Sequence, residues 1–137
     1  MAQLNVYLNF NGNCREAMTF YKDCLGGELI MQTTGESPMA DKIPPDKQND
    51  IMHSSLVKDG LVIMASDMNK GNLVQGNTVH LMLNCKSEEE IRTLFAKLSA
   101  GGKIIQEPTD TFWGALYGEL TDKFGIQWMF NCDKNQQ

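Results

Sequence analysis

Few residues in this chain have side chains suited to chemistry. Of its 137 residues only two are histidine, His53 and His80, and four are cysteine, Cys14, Cys24, Cys85 and Cys132. An unperturbed imidazole titrates near neutrality, so His53 and His80 are the candidate acid and base, and the candidate metal ligands. His53 sits in Ile51-Met52-His53-Ser54-Ser55, where alternation alone does not fix the face it occupies. The cysteine spacing matches no CxxC metal motif, and in a cytosolic chain such thiols stay reduced and serve as small hydrophobes. Cys14 is the exception, because it falls at the start of an expected helix, where backbone N–H groups lower a thiol pKa.

The elements that position these residues form a repeat. Asn13-Cys14-Arg15-Glu16 has the form of a helix capping box, and Ser87-Glu88-Glu89-Glu90 has the same form 74 residues later. Apolar stripes at helical spacing follow both, Ala17, Phe20, Tyr21 and Cys24 in the first and Ile91, Leu94, Phe95 and Leu98 in the second. Each helix stops at a glycine pair, Gly26-Gly27 and Gly101-Gly102. Alternating strands precede the helices, from Leu4 to Phe10 and from Val79 to Cys85, and strands at 28–33 and 103–107 follow them. Hairpins then run over 51–66, turning at Lys58-Asp59-Gly60, and over 115–131, turning at Asp122-Lys123-Phe124-Gly125. The chain therefore reads β-α-β-β-β twice, a single domain of two repeats, 1–70 and 77–132. Residues 34–49, rich in proline and polar residues, read as an extended loop that is mobile or dimer-related, and residues 67–77 as the linker.

Alternation also predicts which side chains face away from the helices. On four strands these are Asn5, Tyr7 and Asn9; Val62, Met64 and Ser66; His80, Met82 and Asn84; Gln127, Met129 and Asn131. Methionine, amide and imidazole side chains together make an adaptable, half-apolar surface suited to a small organic ligand. Asp67, directly after a strand, is either a hydrogen-bond anchor for that ligand or a turn-initiating residue. Trp113 and Trp128 are either stacking walls at a pocket edge or structural anchors.

Composition limits the partners. With 42% hydrophobic and 21% charged residues the chain is an ordinary globular sequence, long enough to bury roughly two-thirds of its unfolded surface without disulfides. A net charge of −5 with scattered basic residues argues against nucleic acid. No apolar run approaches the roughly 18 residues of a membrane span. The N-terminal MAQLNVYLNF lacks the regions of a signal peptide, so a cytoplasmic protein is expected. No glycine-rich nucleotide-binding turn follows a strand, which speaks against a methyltransferase.

Several segments fall in an order that resembles a known family: Tyr7-Leu8-Asn9-Phe10-Asn11-Gly12-Asn13-Cys14, Phe20-Tyr21-Lys22, Leu25-Gly26-Gly27-Glu28-Leu29, Ser66-Asp67, Phe112-Trp113-Gly114 and Asp122-Lys123-Phe124-Gly125-Ile126-Gln127-Trp128-Met129. They are similar to the PhnB-like group of the vicinal oxygen chelate superfamily, which includes glyoxalase I, bleomycin-resistance proteins and extradiol dioxygenases. The resemblance implies an α+β fold in which duplicated β-α-β-β-β modules form a concave mixed sheet with helices outside, and a homodimer. It also implies a divalent metal held by His, Glu or Gln at four strand positions, which fall here at Asn5, Met64, His80 and Met129. Of these only His80 is a good ligand for a hard divalent ion. The sequence thus points to a small-molecule binding protein with ligand contacts from Asn5, Tyr7, Met64, Asp67, Met82, Trp113, Gln127 and Met129. The alternative is a metal-dependent lyase or dioxygenase whose relocated site uses His53 and His80, with Asp67.

Overall fold

The computed structural model describes residues 2–68 and 71–134. Residues 69 and 70, which include the expected end of the first repeat, lie outside the described residues. The chain divides into two compact units, 1–74 and 75–137, each built as a strand, a twelve-residue helix and three further strands. The first holds β1 (Val6–Asn9), α1 (Cys14–Leu25), β2 (Glu28–Thr33), β3 (Ile51–Lys58) and β4 (Leu61–Ser66). The second holds β5 (Leu81–Asn84), α2 (Glu88–Ser99), β6 (Lys103–Asp110), β7 (Ala115–Thr121) and β8 (Gln127–Asp133). The fold is α+β, with two mixed four-stranded sheets ordered β1-β4-β3-β2 and β5-β8-β7-β6. In each sheet the first strand pairs in parallel with the last, and the remaining pairs are antiparallel.

Each helix packs on its own sheet, α1 against β2, β3 and β4 and α2 against β6, β7 and β8. Cys14, Ala17, Met18, Tyr21, Cys24 and Leu25 form the buried stripe of α1, and Ile91, Phe95 and Leu98 that of α2. Phe20, expected in that stripe, is only half-buried, and Met18 takes the inward position. Facing strands contribute Leu56, Ile63, Leu120, Trp128 and Phe130, all essentially inaccessible. Burying side chains of this size stabilises by about 1.5–3 kcal/mol each. The opposite face of each sheet is left open by its own helix.

The helix starts differ from the expected symmetry. At α2, Ser87 Oγ accepts from the Glu90 N–H at 3.1 Å, and Glu90 Oε1 accepts from the Lys86 N–H at 2.9 Å. Asn13 makes no side-chain cap. The cap of α1 is instead Asp67, whose Oδ1 accepts from the N–H groups of Gly12 at 2.9 Å and Cys14 at 3.1 Å. The helix ends do repeat: a Cβ on Gly27 would lie 2.8 Å from the Val57 carbonyl oxygen, and one on Gly102 only 2.3 Å from that of Thr121. Each glycine lets the chain leave its helix flush against the neighbouring strand.

The edge strands are shorter than alternation suggests. Among the described residues β1 and β5 pair on one side only, and the residues before Val6 and Leu81 run past the ladder, leaving Leu4 98% and Val79 72% exposed. At the other edge, β6 continues to Asp110 and carries Pro108, with two register shifts against β7. An edge tolerates proline because no partner requires its missing N–H. The 34–49 segment is no extended loop. It folds into three single 3-10 turns, Thr34–Glu36, Ala40–Lys42 and Pro45–Lys47. The Gln48 amide pins them by donating to the carbonyls of Ala40 at 2.9 Å and Ile43 at 2.8 Å.

Candidate ligand-binding face

The open face of the second sheet gathers the most chemistry. On β7, Tyr117, Glu119 and Thr121 alternate with buried Leu116, Gly118 and Leu120. Register places Tyr117 beside Asn131, Glu119 beside Met129 and Thr121 beside Gln127 on β8. β5 then sets Met82 beside Met129 and Asn84 beside Asn131. His80 stands one residue before β5, and its Nε2 lies 3.6 Å from Glu119 Oε1, both side chains 27% exposed. Around this pair Thr121 Oγ1 donates to Gln127 Oε1 at 2.8 Å and the Asn131 amide to Asn84 Oδ1 at 3.3 Å. Partial burial, reinforced by the Glu119 charge and a hydrogen bond to it, pushes the Tyr117 hydroxyl above the usual phenol range.

Aromatic rings adjoin the pair. Trp113, in the β6–β7 turn, lies 6.1 Å from the Tyr117 ring and 5.0 Å from Phe112, the latter at an interplanar angle of 90°. Trp128 is instead a core anchor, buried beneath β8 with its Nε1 donating to Asp122 Oδ2 at 2.8 Å. Of the expected contacts, Met82, Gln127, Met129 and His80 thus share one face with the unexpected Glu119 and Tyr117, and Trp113 joins through Tyr117. Glu119 and Tyr117 were recoverable, because alternation carries through β7 as it does through β8.

The first sheet has a like face, differently furnished. Met64 lies between Tyr7 on β1 and Ser55 on β3, while exposed Asn5 precedes the strand. A register shift between Gln32 and Thr33 leaves Met52 without a partner, so Ile51 and Ser54 are both buried and His53 turns outward. His53 faces the same way as Ser55, with its ring 6.4 Å from that of Tyr7. His53 and His80 belong to different units.

Asp67 is occupied by backbone. Besides its two bonds at α1, its Oδ2 accepts from the Ile51 N–H at 2.8 Å. It also borders a cavity of about 500 Å³ lined by Asn11, Asp46, Lys47, Asp50 and Met68. The Cys14 expectation is reversed. Its thiol is fully buried at the first turn of α1, and desolvation pushes it up to about 11, outweighing the contact with Ser54 Oγ at 3.7 Å. Cys85 is likewise raised by burial, to about 12. All four cysteines are buried, and none is in a disulfide.

The donor set does not suit the divalent ion that the resemblance implies. Catalytic divalent sites use about three protein ligands, whereas the positions flanking His80 and Glu119 hold the thioethers of Met82 and Met129. Among the described residues no group of three or more His, Cys, Asp or Glu side chains could hold a metal ion.

A β-α-β-β-β unit occurring twice, with the same strand order each time, defines a class of duplicated α+β proteins. The model of the Glyoxalase/Bleomycin resistance protein/Dioxygenase superfamily matches residues 3–130, and the chain belongs to that superfamily. It is 35% identical to the protein YjdN of Escherichia coli K12, with 97% of each chain covered. Among solved structures it is similar to protein PA1353 from Pseudomonas aeruginosa, at 39% identity and a TM-score of 0.85, covering 97% of this chain and 98% of that one. It is also similar to a Bacillus cereus PhnB protein described as a putative 3-demethylubiquinone-9 3-methyltransferase, at 26% identity and a TM-score of 0.78, covering 96% and 99%. No helix among the described residues is long and apolar enough to cross a membrane.

Proposed function

We propose that this chain is a small-molecule binding protein whose ligand lies on the open face of the second sheet, held without the four-ligand metal site of its superfamily. One observation carries the reading: the His80–Glu119 pair is partly exposed among Met82, Met129 and Gln127, on a face that its own helix does not cover. Thioethers give adaptable apolar contact, while imidazole, carboxylate and amide fix a ligand's polar groups. The Tyr7, His53 and Met64 face of the first sheet, with Asn5 at its edge, is proposed as a second contact surface of the same kind. A homodimer is part of this proposal, checked by the mass in solution.

Thermal-shift screening against small metabolites tests it, since a ligand of the native state raises apparent stability by RT ln(1 + [L]/Kd). At least one metabolite should raise the melting temperature of the wild type and fail to do so in Met129→Ala. Metal analysis of protein purified without chelator should show less than stoichiometric metal. A stoichiometric divalent ion that disappears in His80→Ala would overturn the metal-independent reading.

A further inference from the structure

We propose that the ligand of this face is an organic cation, an ammonium group on a small apolar body; the inference rests on the binding reading above and names its ligand class. At the β6–β7 turn Phe112 is 98% and Trp113 55% exposed. Large rings are seldom left in water without use, because burial is worth so much to them. These two stand at right angles, 5.0 Å apart, and Tyr117 extends the wall at 6.1 Å and 71° from Trp113. A cation within about 6 Å of a ring centroid is attracted by the negative π face. A neutral ligand gains only contact area.

The charge beyond the rings has the matching sign. Tyr117 carries the aromatic wall along β7 to Glu119, two residues on and on the same face of the sheet, so an ammonium group over the rings would be drawn to that carboxylate. The lysine at this turn is already neutralised: Lys134, anchored by its backbone N–H to the Gly114 carbonyl, is ion-paired through its ammonium with Asp110. Among the described residues, an anionic ligand would therefore find a carboxylate and no uncommitted ammonium at this turn. The net charge of −5 adds a field of the same sign.

The test is calorimetric titration of the full chain with three probes of one shape: choline, its neutral carbon isostere 3,3-dimethylbutan-1-ol, and the anion 3,3-dimethylbutanoate. Choline should bind about tenfold more tightly than the alcohol, and the anion not measurably. Trp113→Ala and Glu119→Gln should each weaken choline about tenfold with unchanged circular dichroism, and Trp113→Phe should restore most of the loss. Equal affinity for choline and the alcohol, preference for the anion, or unchanged choline binding in Trp113→Ala would each overturn the proposal. So would a Trp113→Ala variant whose only effect is to dissociate a dimer, since a second copy would then be what covers these rings. If the alcohol or the anion binds and Met129→Ala abolishes it, the binding reading stands and the cation inference falls. If neither the probes nor the metabolite panel binds, both fall.

Discussion

His80 Nε2 stands 3.6 Å from Glu119 Oε1, although the two residues are 39 positions apart and β8 lies between their strands. A partly exposed histidine–carboxylate contact contributes under about 1 kcal/mol to stability. His80→Ala and Glu119→Gln are therefore expected to shift the urea midpoint little. Their effect should appear in ligand affinity, about tenfold each, and the double variant should lose less than the sum of the two because both act through one pair. Urea titration beside calorimetry checks this. A large stability loss with unchanged binding would make the pair structural.

Asp67 joins three chain segments, taking N–H groups from Gly12, Cys14 and Ile51. Bonds to a charged acceptor contribute about 1.5–3 kcal/mol, and stranding a buried donor costs a comparable amount. Asp67→Ala should destabilise the fold by about 3 kcal/mol, and Asp67→Asn by less, since its amide oxygen still accepts. Asn13→Ala, at the cap position that makes no side-chain bond, should cost under about 0.5 kcal/mol. Chemical denaturation of the three variants checks the order.

The duplicated fold was legible because both helices and most strands are amphipathic at their own period: Ile91, Phe95 and Leu98 keep the helical stripe, and Trp128, Phe130 and Cys132 keep the strand alternation. What local pattern could not carry was contact at long range. The cap of α1 comes from Asp67, more than fifty residues away, so Asn13 only imitates one. The face of His53 depends on the bulge at Met52, a feature of pairing with β2 rather than of the residues around it. Glu119 was readable from alternation, but its importance arises from the register that brings it to His80.

Glycine contacts separate two kinds of substitution. A Cβ at Gly102 would lie 2.3 Å from the Thr121 carbonyl oxygen, whereas one at Gly60, at φ +78°, would meet nothing within 4 Å. Gly60→Ala should therefore cost only the left-handed penalty of about 1–2 kcal/mol. Gly102→Ala must push α2 off β7 as well, and should cost more than about 3 kcal/mol or abolish folding. Comparing the two melting temperatures tests the helix-to-strand approach that recurs at Gly27.

The buried thiols make stability fall in alkali. Cys14 is raised from 9.0 to about 11 and Cys85 to about 12 by desolvation. Below pH 9 both states hold these protons, and the thiols contribute no slope. Above it the unfolded chain releases them while the native protein keeps them, so the native state binds more protons and stability declines until pH passes the native values. The decline is at most about 1.4 kcal/mol per pH unit for each thiol. Cys14→Ala should remove its share of the slope between pH 9 and 11, seen as a smaller difference between urea midpoints at those two values. Native protein should also resist iodoacetamide at pH 8 and react fully once unfolded, because the thiolate is the nucleophile. Rapid alkylation of native Cys14, or an unchanged slope in Cys14→Ala, would contradict the desolvated thiol described at the start of α1.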